Sequence, residues 1–342
     1  MEKFDVVIVG AGPAGLKCAL ELSGSGLEVL LLEKNEIPGI KICAGGITRQ
    51  CFALLNLPEE IIEHKIDEVI LQSRHFKNDK KFPAPVMQTV NRKELGQYQL
   101  SLLKDKDIQY LNKAKVTRVN DNSVVVNDDK EYGFRFLVGA DGPFSIVRKY
   151  LNLPVEKVLA TVQYQIPDPA TRNRIEIFLN TKYFHSWYAW VFPHKNTLAV
   201  GACSNAHYLS GKKLKDNFHR WLKEQQFDLA GAEYQSFPIS YDYRGSRFGN
   251  IFLAGEAAGL ASGLTGEGIF QSVLSGQIIA HAILNNVTDR EIMGEVTGYN
   301  KFQHKFLNWS YKAGAGRSLL HDAIILMLRN KWVNKKITNS FS

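Results

Sequence analysis

Phe4-Asp5-Val6-Val7-Ile8-Val9-Gly10-Ala11-Gly12-Pro13-Ala14-Gly15 opens on β-branched apolar residues and closes on three spaced glycines. A short apolar run of that kind predicts a buried parallel strand. A helical stretch follows through Ala19 and Leu22, and a second apolar run, Val29 to Leu32, ends at Glu33. Strand, glycine turn, helix, strand and acid in that order form the pattern of a dinucleotide-binding unit. Gly10 is expected to permit the tight turn, Gly12 to let backbone approach a pyrophosphate, and Gly15 to let helix pack closely on strand. Pro13 and Ala14 begin the helix, whose N-terminus offers unpaired N–H groups and positive dipole to that pyrophosphate. Glu33, with Lys34 beside it, is placed to accept hydrogen bonds from ribose hydroxyls. This unit alone does not distinguish one dinucleotide from another.

Two later stretches repeat the pattern. Phe136-Leu137-Val138-Gly139-Ala140-Asp141-Gly142-Pro143-Phe144-Ser145-Ile146-Val147-Arg148 reads as strand, glycine turn and helix, with Asp141 placed to meet polar cofactor groups. An ordinary strand–turn–helix with an Asp N-cap is the plainer alternative. Asn250-Ile251-Phe252-Leu253-Ala254-Gly255-Glu256-Ala257-Ala258-Gly259 runs on through Thr265-Gly266-Glu267-Gly268-Ile269 into a long helix ending near Asn285. Glycines at a helix start suit a site holding negative charge, although a glycine-rich loop needs no ligand.

In this order and spacing the three motifs resemble the FAD-dependent hydroxylase superfamily, with its GxGxxG, its central GADG…S…R and its later GDAA…G.G. The match spans roughly residues 1 to 285. Glu256 stands where most members have Asp, and its extra methylene still reaches a ribityl or pyrophosphate oxygen. Arg92, in Val90-Asn91-Arg92-Lys93-Glu94-Leu95, matches an arginine that meets the cofactor in that group; a surface arginine is the alternative. The resemblance implies FAD and an α/β fold: a Rossmann-type FAD-binding domain, an inserted antiparallel-sheet substrate domain and a helical C-terminal tail. The expected bounds are 1–65, 88–155 and 245–290 for the discontinuous FAD-binding domain, 66–87 and 156–244 for the sheet domain, and 291–342 for the tail. Its implied cofactor contacts are Gly10, Gly12, Pro13, Ala14, Gly15, Glu33, Lys34, Lys41, Ala44, Gly45, Arg92, Asp141, Gly255, Glu256, Gly266, Gly268 and Ile269.

Between Val158 and Ser204 the pattern changes to a period of two, as in Val162/Tyr164/Ile166 and Leu198/Val200, which predicts antiparallel strands. In Ser186-Trp187-Tyr188-Ala189-Trp190-Val191-Phe192-Pro193, a strand would put Tyr188, Trp190 and Phe192 on one face and Trp187, Ala189 and Val191 on the other. One face could line an apolar pocket, or the run could be an aromatic core strand. This run, the loop Lys41-Ile42-Cys43-Ala44-Gly45-Gly46-Ile47 and the Gly-Glu-Ala-Ala-Gly and Thr-Gly-Glu-Gly-Ile segments are similar to the geranylgeranyl reductase family. There the aromatic strand lines a tunnel for the isoprenoid chain.

That resemblance implies hydride transfer from reduced FAD to a C=C bond of an isoprenoid lipid, with Cys43, Tyr188 and Trp190 at the reacting centre. Cys43, Tyr188 or a held water would supply the proton. For Cys43 a small buried residue beside two glycines is the competing reading. No second nucleotide fold follows, so NAD(P)H binding transiently or a ferredoxin is the expected electron donor. A flavin monooxygenase or halogenase and an electron-transfer flavoprotein serving a quinone share the same motifs.

Composition sets outer limits. The chain has 342 residues, long enough for two domains, and its 45% hydrophobic content is that of a globular enzyme. Its net charge is +8, from 42 Lys and Arg against 34 Asp and Glu, which favours anionic partners without a basic–aromatic stripe for nucleic acid. Cys18, Cys43, Cys51 and Cys203 have no metal-ligand spacing, and with no signal peptide they predict free thiols in a cytoplasmic protein. No apolar run approaches the roughly 18 to 20 residues of a bilayer span. Beyond about Gly294 the chain is helical and basic, with Trp309, Leu319, Ile325 and Met327, then Lys331, Trp332, Lys335 and Lys336. Such a helix packs on the body of the protein or makes peripheral contact with anionic lipid.

Overall fold

The computed structural model describes residues 1–168, 172–285 and 293–329, so Lys331, Trp332, Lys335 and Lys336 of the tail lie outside the described residues. Two compact units emerge: residues 1–41, 92–156 and 240–301, and residues 42–91, 157–239 and 302–342. Residues 42–65 and 302–329 therefore group with the second unit.

The first unit is built on a parallel sheet. Strand Glu2–Val9 lies between Val29–Leu32 and Lys130–Gly139, with Ile108–Leu111 and Ile251–Leu253 outside them, all parallel. Val9 is in register with both Leu32 and Gly139, and Gly139 with Leu253. The strands carrying the three glycine motifs are therefore neighbours, and their turns leave the sheet at one edge, where open α/β sheets bind ligands. Val6, Val7, Ile8, Leu30, Leu31, Leu137, Val138 and Leu253 are fully buried, which explains apolar runs instead of alternation. Helix Pro13–Leu22 packs on the long helix Ile269–Asn285.

In the second unit a sheet runs in the order Glu233–Ser236, Val158–Pro167, Thr197–Asn205, Ala189–Pro193, Arg174–Phe178, Glu68–Gln72, Lys77–Lys81. The pairs are antiparallel except Arg174–Phe178 with Glu68–Gln72, which run parallel. Val162, Ile166, Phe178, Ala189, Val191, Leu198 and Val200 form one apolar face, covered by Leu214, Phe218, Trp221 and Leu222 of helix Gly211–Glu224. The aromatic strand begins later than its sequence suggests. A short helix, Thr181–Phe184, ends at His185 with φ +59°, and Trp187 N–H donates to Phe184 O at 3.0 Å. This turn takes Trp187 out of the ladder, and the strand itself is Ala189–Pro193.

Helix Arg317–Arg329 is fixed to the same unit through polar contacts. Asp322 Oδ1 accepts from Ser73 Oγ, and its Oδ2 faces His75 Nδ1 at 2.7 Å. Burial alone would raise the Asp322 carboxyl, but the His75 and Ser73 hydrogen bonds outweigh it and hold it low. The adjacent His321 is 2% exposed, and burial, reinforced by Arg317, pushes its imidazole down to about 4. Above pH 6.5 it is neutral both folded and unfolded. As pH falls from 6.5 towards 4, only the unfolded chain takes up the proton, so stability drops by about 3 kcal/mol at most and then levels off. Urea melts across that window are expected to show the loss, and His321→Leu to flatten it.

Candidate functional site

In the first turn the three glycines have different reasons to be there. A Cβ on Gly10 would lie 2.5 Å from Ala140 O, and one on Gly15 would lie 1.9 Å from Gly10 O. Gly10 also has φ +102°. The protein's own packing demands both. A Cβ on Gly12 would meet nothing nearer than Ala140 O at 4.0 Å, so this glycine borders space that the protein leaves open. Gly12 is the N-cap of helix Pro13–Leu22, Pro13 opens it, and no side chain caps it. Glu33 is buried beneath the turn, its Oε2 accepting from Ala11 N–H and its Oε1 from Asn35 N–H, each at 2.8 Å. Lys34 is exposed.

The other two motifs join this turn. A Cβ on Gly10 would be 2.9 Å from Asp141 Cα, and one on Gly255 would be 3.4 Å from Ala14 Cβ. Asp141 Oδ2 accepts from Ile146 N–H at 2.7 Å, while Ser145 is the N-cap of helix Ile146–Tyr150, its Oγ accepting from Arg148 N–H. Burial pushes the Asp141 carboxyl up, against hydrogen bonds from Ser145 and neighbouring amides. Arg148, 2% exposed, donates to Pro154 O at 2.7 Å, Asp242 O at 2.8 Å and Ala257 O at 3.2 Å. It ties the second motif's helix to the third motif's turn. Asp242, which accepts from Glu156 N–H at 2.9 Å and Arg244 Nε at 3.0 Å, completes this buried staple.

Glu256 Oε1 is paired with Lys41 Nζ, and a Cβ on Gly268 would lie 3.7 Å from the same oxygen. Gly266 forms the turn before Ile269, the buried first residue of the long helix. Arg92 begins helix Arg92–Ser101, from which Gln99 donates to Pro13 O at 3.4 Å. Glu256 Oε2 and Arg92 Nε are buried with no hydrogen-bond partner. Buried polar atoms are ordinarily satisfied, and orphans call for an explanation. Hydroxyl donors and phosphate acceptors would answer both, and the open space at Gly12 would take a pyrophosphate. The residues present fit FAD.

Cys43, Ala44 and Gly45 fall in the second unit. Cys43 O accepts from Gln163 Nε2 at 3.4 Å, Ala44 O from His194 Nε2 at 3.0 Å, and Gly45 O from Val90 N–H at 3.0 Å. His194 Nδ1 is bonded to the Glu63 carboxylate. Nothing in the sequence marks Gln163, Glu63 or His194 as the clamps of this loop, because Glu63 and Ala44 lie 131 and 150 residues from His194. Trp190 and Phe192 occupy the sheet face opposite the apolar core. Trp190 is paired with Gly201, where a Cβ would lie 2.3 Å from the indole Cζ2, so the glycine lets the ring lie against the sheet. Tyr188 meets Trp190 edge-on at 6.1 Å, and Phe192 packs at Gly46 of the Cys43 loop.

All four cysteines are free thiols; Cys43 is half-buried and Cys18, Cys51 and Cys203 are buried. Burial pushes the Cys203 thiol up to about 12 and Cys18 higher still. Iodoacetamide at mildly alkaline pH is expected to label Cys43 at least about tenfold faster than the other three, which need the thiolate and access. Peptide mass spectrometry reads the difference. Among the described residues no cluster of metal ligands occurs, and no helix is long and apolar enough to cross a membrane.

Comparison with known proteins agrees with this geometry. Residues 3–275 match the family described as FAD binding domain. An uncharacterized protein of Methanosarcina barkeri is 30% identical over 84% of this chain and 76% of its own length. A geranylgeranyl diphosphate reductase of Rhodobacter capsulatus is 26% identical over 82% of this chain and 75% of its own. The solved structure of a geranylgeranyl bacteriochlorophyll reductase-like protein from Thermoplasma acidophilum has a TM-score of 0.80 at 20% identity, covering 97% of this chain and 92% of that one. The chain belongs to the FAD binding domain family, and it is an FAD-dependent oxidoreductase related to the geranylgeranyl reductases.

Proposed function

We propose that this oxidoreductase reduces carbon–carbon double bonds in the prenyl chain of an isoprenoid lipid. The observation that carries the reading is the aromatic cluster of half-buried Tyr188, which precedes the strand, with buried Trp190 and half-buried Phe192 on the strand face opposite the apolar core, Phe192 packing at Gly46 of the Cys43 loop. The reductase names of the relatives support the same substrate class. In this reading the open space at Gly12 and the helix N-terminus behind it hold the cofactor pyrophosphate, and Glu33 receives the ribose. Arg92, Asp141 and Glu256 provide the remaining polar contacts, with the turn at Gly266 and Gly268 leading into Ile269. Bound and reduced, FAD supplies the hydride. Trp190 and Phe192 hold the prenyl chain and exclude water. The Cys43 thiol or the Tyr188 hydroxyl holds the proton for the second alkene carbon. Electrons come from NAD(P)H or a ferredoxin-type donor.

Turnover with NADPH or reduced ferredoxin and a geranylgeranyl lipid, with and without oxygen, tests this reading. Products heavier by two hydrogens per reduced bond in both conditions are expected. A product carrying an added oxygen atom, formed only in air, would instead make the protein a monooxygenase.

A further inference from the structure

We infer that residues 302–329 present a docking surface for an anionic lipid bilayer. The charge of this chain is segregated. Residues 302–329 contain four Lys and Arg, namely Lys305, Lys312, Arg317 and Arg329, against one acid, and residues 301–342 as a whole eight against one, leaving 34 against 33 in residues 1–300. The one acid, Asp322, is 4% exposed and turned inward onto Ser73 and His75.

The same segment exposes large apolar side chains. Trp309 is 62% exposed, Leu319 70%, Met327 60% and Leu326 42%. On helix Gly294–Lys312, exposed Lys305 and Lys312 flank Trp309 four residues before and three after it, and so share its stripe. Leu319, Leu326 and Met327 recur at i, i+7 and i+8 on helix Arg317–Arg329, whose buried residues His321, Asp322 and Ile325 lie on another face. Arg317 Nε donates to Ser310 O at 3.2 Å, which brings the start of the second helix to the Trp309 end of the first. Tryptophan flanked by lysines, beside an aliphatic stripe, is the chemistry of a headgroup boundary: apolar groups enter the acyl region and ammonium groups meet lipid phosphates. A second copy of the chain would bring the same positive charge and be repelled, whereas an anionic bilayer complements both features.

The full-length, FAD-loaded protein is sedimented with phosphatidylcholine vesicles and with vesicles in which about a third of the lipid is phosphatidylglycerol. Binding is expected to the anionic vesicles, weakening about tenfold or more when salt is raised from low ionic strength to about 0.5 M. The triple variant Trp309→Ser, Leu319→Ser, Met327→Ser is expected to lose about tenfold or more in partitioning with its flavin spectrum unchanged. Lys305→Gln with Lys312→Gln, which touches no apolar contact, is expected to reduce the anionic preference several-fold. Failure of the wild-type protein to bind anionic vesicles overturns the inference. So does a self-association that the triple variant abolishes, which would assign the surface to a second copy.

Discussion

Gly12→Val is expected to yield a protein that folds but carries no flavin. The backbone at Gly12 has φ −79° and ψ −178°, a conformation open to any residue, and its Cβ direction meets only Ala140 O at 4.0 Å. Apoprotein stability should fall by about 1 kcal/mol, the cost of a poorer N-cap. The branched side chain would fill the space assigned to the pyrophosphate and screen the uncapped helix N-terminus, weakening FAD about a hundredfold or more, about 3 kcal/mol. Gly15→Val is the contrasting substitution, because its Cβ would lie 1.9 Å from Gly10 O and force helix and strand apart. It should destabilise the apoprotein itself by several kcal/mol, of order 3. Flavin content by absorbance and apoprotein urea melts separate the two. Retention of FAD by Gly12→Val would show that the open space belongs to something else.

Arg148→Met is expected to destabilise the first unit by about 3 kcal/mol or more. The guanidinium, 2% exposed, satisfies three carbonyls that belong to separate segments: Pro154, Asp242 and Ala257. Methionine fills the volume but leaves those buried acceptors unpaired, although Asp242 retains Arg244 and the Glu156 amide. Arg148→Lys should not rescue, since one ammonium cannot span a fork of three acceptors. FAD affinity should fall as well, because the staple joins the turns of the second and third motifs. An urea midpoint close to that of the wild type would contradict this account.

The contrast between these two residues indicates what a sequence can disclose. Gly10, Gly12, Asp141 and Glu256 sit in local patterns with fixed spacing, and parallel strand pairing brings those turns to one sheet edge. The apolar strands and the long helix that begins at Ile269 were legible for the same reason: each is specified by its own stretch of residues. Arg148 was visible as part of a motif, yet its partner Asp242 lies 94 residues away and follows no pattern. His194 and Gln163 are hidden likewise, since what makes them clamps of the Cys43 loop is tertiary pairing. The aromatic run suggested a strand from Ser186, but a left-handed His185 and the Trp187–Phe184 turn delay it to Ala189. Alternation alone cannot register such a turn.

The proposed prenyl reduction requires that reduced FAD in this protein deliver its electrons to a prenyl double bond. Its most direct test is to reduce the purified protein with dithionite, free it of oxygen and excess reductant, and mix it with a geranylgeranyl lipid or its fully saturated counterpart. Return of the oxidised flavin spectrum with the unsaturated lipid alone, matched by a gain of two hydrogens per flavin in the product, is the predicted result. Flavin that stays reduced with both lipids, and reoxidises only when oxygen or a quinone is admitted, would contradict it.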